Sequence, residues 1–142
     1  MRGRACGKPA SGFLGRRAVN LFDDLPEGRR PLGDALGATL WGGTVCELQP
    51  GEQVAPYLWY AGAEEWLLVL AGTPTLRTPD GEQSLEPWDV AVFVRGPDGA
   101  HELRNDSDAV ARVALIVSVS DPEVVVYPDS GDVRVLAGWN LP

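Results

Sequence analysis

Histidine, lysine and methionine each occur once in this chain, as His101, Lys8 and Met1, and cysteine only twice, as Cys6 and Cys46. With its only lysine near the N-terminus, the chain offers no candidate for an internal Schiff-base amine. Two cysteines without a CxxC spacing make neither a disulfide framework nor a thiol-disulfide site, and a reducing, cytoplasmic setting is expected. No apolar run approaches the roughly 20 residues of a membrane span. Also missing are a glycine-rich phosphate loop between a strand and a helix and a nucleophile-elbow sequence around any serine, which sets aside nucleotide-loop enzymes and serine hydrolases.

Basic residues are scarce outside the N-terminal stretch. The formal net charge is −8, yet the first 30 residues carry seven basic and three acidic side chains, so the remainder is strongly acidic. Such a surface repels a phosphate backbone, and no nucleic-acid partner is expected. The Arg16-Arg17 pair hints at an export signal, but Asp23, Asp24 and Glu27 fall where an apolar stretch would be needed. Residues 1–16, rich in Gly, Arg, Ala and Pro, read as a flexible tail, and 17–142 as one domain, long enough to bury a core of its own.

What the chain does have is a succession of short β-rich runs: 18–22, 38–48, 54–60, 65–70, 75–78, 89–94, 101–105, 110–119, 124–127 and 133–136. Regular short strands between turn residues mean an all-β sandwich or barrel. Asp80-Gly81 predicts a tight type I′ hairpin and Pro50-Gly51 a type II turn. Helical periodicity is absent except for one turn near Leu32 to Leu36.

Two stretches carry a family resemblance. Pro50-Gly51-Glu52 through Glu64-Glu65-Trp66-Leu67-Leu68-Val69-Leu70-Ala71-Gly72 resembles the first cupin motif, which runs Gly, His-x-His, three or four residues, Glu, six residues, Gly. Here the Tyr60-to-Glu65 and Glu65-to-Gly72 gaps match, while the two histidine positions hold Leu58 and Tyr60. Glu86-Pro87-Trp88-Asp89 through Gly96-Pro97-Asp98-Gly99-Ala100-His101-Glu102-Leu103-Arg104-Asn105 resembles the second motif. His101 and Asn105 keep its final spacing, Trp88 replaces its first Gly, Val94 its Pro, and the Gly96-to-His101 gap is longer by two. The resemblance, to small single-domain bacterial cupins of the cupin 2 conserved-barrel type, covers about residues 18–136. It implies a small antiparallel β-barrel, or jelly roll.

In cupins the motif histidines and the Glu hold a transition-metal ion. Here one histidine cannot build a three-histidine site, leucine has no lone pair and a neutral phenol is a poor ligand, so no metal and no cofactor are expected. If the register holds, Leu58, Tyr60, Glu65 and His101 face the cavity, with Leu67 and Val69 continuing its wall. Glu65 and His101 would form a jointly titrating pair suited to acid–base work, and Tyr60 would donate its hydroxyl to a developing oxyanion. These three are the candidate catalytic residues. Leu58, Trp88, Val69, Phe93, Leu67 and Leu103 are the candidate ligand-binding wall, with Trp88 closing the mouth. The structural alternatives are that the acid–imidazole pair only satisfies itself and that Tyr60 only fills space. Asn105, Asp129 and Ser130 are assigned to turns and strand ends, and Glu64 to solvent.

The expectation is therefore a metal-independent cupin that binds a small apolar or aromatic metabolite and catalyses its acid–base isomerisation, cyclisation or lysis. The alternatives are a non-catalytic ligand-binding or sensor cupin, and a residual metal-dependent, dioxygenase-like cupin using Glu65 and His101. An outward Trp59, Trp66 and Leu68 face predicts a homodimer.

Overall fold

The computed structural model describes residues 18–23 and 28–137; the 1–16 tail lies outside them. In chain order the elements are β1 (Arg29–Pro31), α1 (Leu32–Leu36), β2 (Trp41–Leu48), β3 (Trp59–Tyr60), β4 (Glu65–Ala71), β5 (Thr75–Thr78), β6 (Gly81–Ser84), β7 (Val90–Phe93), β8 (Glu102–Arg104), β9 (Ala111–Ser118), β10 (Glu123–Tyr127) and β11 (Asp132–Leu136). They form three antiparallel sheets, ordered β1-β2-β9-β4-β7, β11-β10-β3 and β6-β5-β8. The expected all-β jelly roll is the fold observed.

Two-residue periodicity builds the barrel. Along β4, Glu65, Leu67 and Val69 are buried and Trp66 is exposed; along β9, Ala111, Val113 and Val117 are buried and Ile116 is exposed. β4 pairs with both β9 and β7, so the inward residues of three strands meet in one core with Cys46, Leu48, Leu76 and Leu103. A second interior cluster, Leu58, Tyr60, Ala63, Val117, Val125 and Tyr127, fills the end of the barrel beneath β3 and β10. Outside the larger sheet, Val45, Leu70 and Ala114 are covered by Leu21 and by Leu32 of α1. No described helix is long and apolar enough to cross a membrane.

Several local expectations give way to tertiary context. The 18–22 run is not a strand, because Asp23 N–H bonds back to Asn20 in a turn; the first described strand is instead β1, held by β2. Only Trp59–Tyr60 of the 54–60 run is a strand; its earlier part touches a neighbour at one isolated bridge, Leu58 with His101, and Gln53 just before it at another, with Arg104. Pro56, which lacks an N–H, interrupts any continuous ladder there. The hairpin at Asp80-Gly81 is present, but Thr78 pairs with Gly81, so Pro79 and Asp80 are its central residues. Asp80 does not take positive φ, and the turn is not type I′. Asn105 is structural as expected: its Nδ2 donates to the Leu48 and Ala109 carbonyls and its Oδ1 accepts from Ser107.

The type II turn at Pro50-Gly51 closes with Glu52 N–H donating to the Gln49 carbonyl and with Gly51 at φ 87°. Glu86-Pro87-Trp88-Asp89 repeats it, Asp89 N–H donating to Glu86 O at 3.0 Å, but with Trp88 at φ 76° where such a turn favours glycine. A bulky L-residue there is strained by about 1–2 kcal/mol. Trp88 is 69% exposed, so its ring recovers little of this by burial. Trp88→Gly is expected to stabilise the fold by about 0.5–1 kcal/mol, less than the full strain because glycine loses more entropy on folding. Urea denaturation of both proteins checks this; an unchanged or lower midpoint would show that the indole makes contacts worth more than the strain.

Candidate functional site

The site forms where β4 begins. Glu65 stands in register with Phe93 of β7 and Val117 of β9, so all three point inward at one level. His101 arrives from across the barrel: its backbone exchanges hydrogen bonds with Leu58, His101 N–H to Leu58 O at 2.9 Å and Leu58 N–H to His101 O at 3.0 Å. The lengthened Gly96-to-His101 gap is a 3₁₀ turn, Pro97–Gly99, entered through Gly96 at φ 86°. A side chain at position 99 would collide with the Val94 carbonyl, so only glycine allows this close approach.

The imidazole is fixed on three sides. Its Nδ1 lies 2.9 Å from the Gly99 carbonyl, its Nε2 lies 2.9 Å from Glu65 Oε1, and the Phe93 ring stacks on it at 3.6 Å between centroids and 10° between planes. Glu65 and His101 are each only 7% exposed. A carbonyl can only accept, so Nδ1 must present its hydrogen to Gly99. A carboxylate also only accepts, so the second contact is satisfied when one further proton lies between Nε2 and Oε1. The contact between the two side chains is shielded from bulk water.

Tyr60 completes the polar set, its ring centroid 6.5 Å from that of His101. Burial, and then the negative charges of Glu65 and nearby acidic groups, push its phenol well above the ordinary value, so it is a hydrogen-bond donor rather than an anionic ligand. Leu58, Tyr60, Glu65, Leu67, Phe93, His101 and Leu103 line one cavity, together with Val54, Ala55, Pro56, Glu102 and Leu115, which motif spacing does not single out. Its volume is about 20 Å³, and it opens to solvent. The Gly99 carbonyl is likewise beyond sequence reasoning: nothing in the residue type signals a main-chain acceptor set by a loop. Burial also raises the Cys46 thiol, which faces the core.

Two expected wall residues are elsewhere. Val69 faces the right side of β4 but lies four residues beyond Glu65, roughly 13 Å along the strand, packed solid against Val113 and Cys46. Trp88 lies in the β6–β7 turn, its N–H donating to Val69 O at 2.8 Å. Because Val90 pairs with Leu68 and Phe93 with Glu65, Trp88 lies off the end of β7 remote from the acid–imidazole pair and does not close the cavity.

The residues present do not fit the metal ion that the resemblance implies. Among the described residues no group of three or more His, Cys, Asp or Glu side chains could hold one. The two good donors, Glu65 Oε1 and His101 Nε2, are hydrogen-bonded to each other.

Solved structures with the same fold include cupins. A sugar phosphate isomerase of the cupin superfamily from Silicibacter pomeroyi is 26% identical, the match covering 82% of this chain and 80% of that one with a TM-score of 0.68. A cupin protein from Bacteroides fragilis is 20% identical over 72% of this chain and 83% of that one, TM-score 0.60. The cupin-2 domain of an XRE family transcriptional regulator from Enterobacter cloacae is 20% identical over 65% and 95%, TM-score 0.52. No family model and no curated protein matches the chain.

The raised phenol sets a pH dependence. An unfolded chain releases the Tyr60 proton at its ordinary value of 10.0, whereas the folded chain retains it to higher pH. The resulting stabilisation is complete below pH 10 and is lost as pH climbs above it, by about 1.4 kcal/mol per pH unit. Denaturation midpoints at pH 9, 10 and 11 are expected to show this fall in the wild type and a shallower one in Tyr60→Phe. Equal slopes would place the phenol in water.

Proposed function

For a chain with the cupin-superfamily fold, we propose metal-independent proton transfer on a small, mostly apolar carbonyl compound, an isomerisation by way of its enol or enolate. The observation that supports this reading is the buried imidazole held between two acceptors, the Gly99 carbonyl and Glu65 Oε1. Glu65 would take the proton from the carbon next to the carbonyl. Tyr60 would hold the oxygen on which charge develops, and the pair would return a proton to the opposite face of the same carbon, inverting its configuration with no net change of protons. Leu58, Leu67, Leu103 and Phe93 give the ligand an apolar wall, and the low dielectric strengthens each polar contact to it. The isomerase named among the structural neighbours, 26% identical, supports the reaction class.

Exchange of carbon-bound hydrogen for deuterium in D₂O, followed by NMR over a panel of small ketones and aldehydes, tests the reading. Wild type treated with a chelator is expected to catalyse exchange of at least one compound. His101→Ala and Glu65→Gln are expected to reduce it by about 10²-fold or more, the usual contribution of a positioned acid or base. Exchange that chelation abolishes and a transition metal restores would overturn the metal-free reading. A compound that raises the melting temperature without exchanging, in every case tried, would leave a binding module in its place.

We also propose that two copies associate through the outer face of the larger sheet. Trp66 pairs laterally with Val92 and Ile116, and Leu68 with Val90, and four of these are exposed, Trp66 by 45%. Trp59 does not join this face, since it pairs with Val126 in another sheet, and Leu68 is half-buried beside Leu21 and Leu32. A flat apolar patch of this kind suits a twofold interface in which each residue meets its own symmetry mate. Light scattering coupled to gel filtration is expected to give twice the chain mass, reduced to one chain by Trp66→Glu; a monomeric wild type removes the proposal.

A further inference from the structure

The cavity beside the acid–imidazole pair is smaller than anything it would transform. Its volume of about 20 Å³ suits roughly one water molecule, and a carbonyl compound is several times larger. Some of the wall must therefore give way before a ligand enters. Most of the wall is held by the barrel: Leu58, Tyr60, Leu67, Phe93 and Leu103 lie in strands or a bridge, are at most 5% exposed and belong to the two interior clusters.

The exception is the connection between β2 and β3, which contributes Val54, Ala55 and Pro56 to the wall. Both of its ends are fixed. Val54 N–H donates to Leu103 O at 2.9 Å and its carbonyl accepts from Arg29 Nη2 at 2.7 Å, while Leu58 bonds His101 through both its N–H and its carbonyl. Between these points Ala55, Pro56 and Tyr57 make no main-chain hydrogen bond to any described residue. Three residues between two anchors can swing about the line joining them without breaking a bond at either end, and a segment with few bonds opens at low cost.

What holds this segment down is a side chain. Tyr57 does not line the cavity; its ring lies against the Arg77 guanidinium of β5, with Cζ 4.0 Å from the ring centroid. Arg77 is positioned in turn by Asp129 in the β10–β11 turn, Nη1 to Oδ2 at 2.6 Å and Nη2 to Oδ1 at 3.0 Å, and by Glu102 of β8 at 3.5 Å. Its side chain is 33% exposed, so water weakens these contacts and the hold is releasable. We propose that residues 55–57 are a flap over the cavity and that Arg77 is its latch, clasping Tyr57 when the flap is closed and releasing it to admit a ligand. The inference rests on the reading of the cavity as a ligand site, but its test reads opening alone.

His101 is the only histidine in the chain and is 7% exposed, so its carbethoxylation by diethyl pyrocarbonate, a reagent larger than the cavity, reports access to the site. At fixed pH the rate is expected to rise about two- to fivefold in Arg77→Gln and in Tyr57→Ala, the range a partly exposed cation–aromatic contact supplies. Arg77→Lys, which keeps the charge without the planar fork, is expected to fall between Arg77→Gln and wild type. In low urea the wild-type rate is expected to stay level, because a three-residue swing exposes little surface. A rate unchanged in Arg77→Gln overturns the latch, whether or not Tyr57→Ala folds. A rate that rises with urea as steeply as global unfolding, in wild type and variants alike, overturns the flap. Deuterium exchange that fails while the rate still responds to Arg77 removes the proposed chemistry and leaves the flap; the converse result removes the flap and leaves the chemistry.

Discussion

Every feature of the site depends on β4 being held in antiparallel register between β9 and β7. In that arrangement side chains alternate with a period of two, so Glu65, Leu67 and Val69 must all turn inward together while Trp66 and Leu68 turn out. A one-residue slip would place the acid in water and a tryptophan in the core. The same register sets Phe93 and Val117 beside Glu65. The acid thereby comes to one end of the barrel, where β3 and the connection before β8 deliver Tyr60 and His101.

Electrostatics then follow from position. The imidazole has an acceptor on each nitrogen and an aromatic plate on one face, so its ring orientation is fixed and one proton is shared with Glu65. Burial, and then the negative charge of Glu65, keeps the Tyr60 hydroxyl protonated to high pH. The two buried acids are compensated differently: Glu65 has a side-chain partner, whereas Glu123 has only backbone amides on one oxygen.

Much of the cavity wall is legible in the sequence. Leu58, Tyr60, Glu65, Leu67, Phe93, His101 and Leu103 line a single cavity, and motif spacing together with strand alternation picks them out. Val69 and Trp88 show where such reasoning stops. Alternation reports which face a residue occupies, but not how far along the barrel axis it lies, and depth is set by strand pairing across the sheet. Trp88 adopts positive φ at the motif's glycine position, and its place off the far end of β7 follows only from the Val90–Leu68 pairing.

By itself the sequence determined the fold class, the inward set along β4 and the shortage of histidine donors, because these depend on residue chemistry and on a local two-residue period. Tertiary structure alone decided which inward residues share a level, that the Gly99 carbonyl faces Nδ1, and that Glu123 is buried with an oxygen unpartnered. Those outcomes rest on contacts between residues far apart in the chain, where position is fixed by register and close packing that no local pattern encodes.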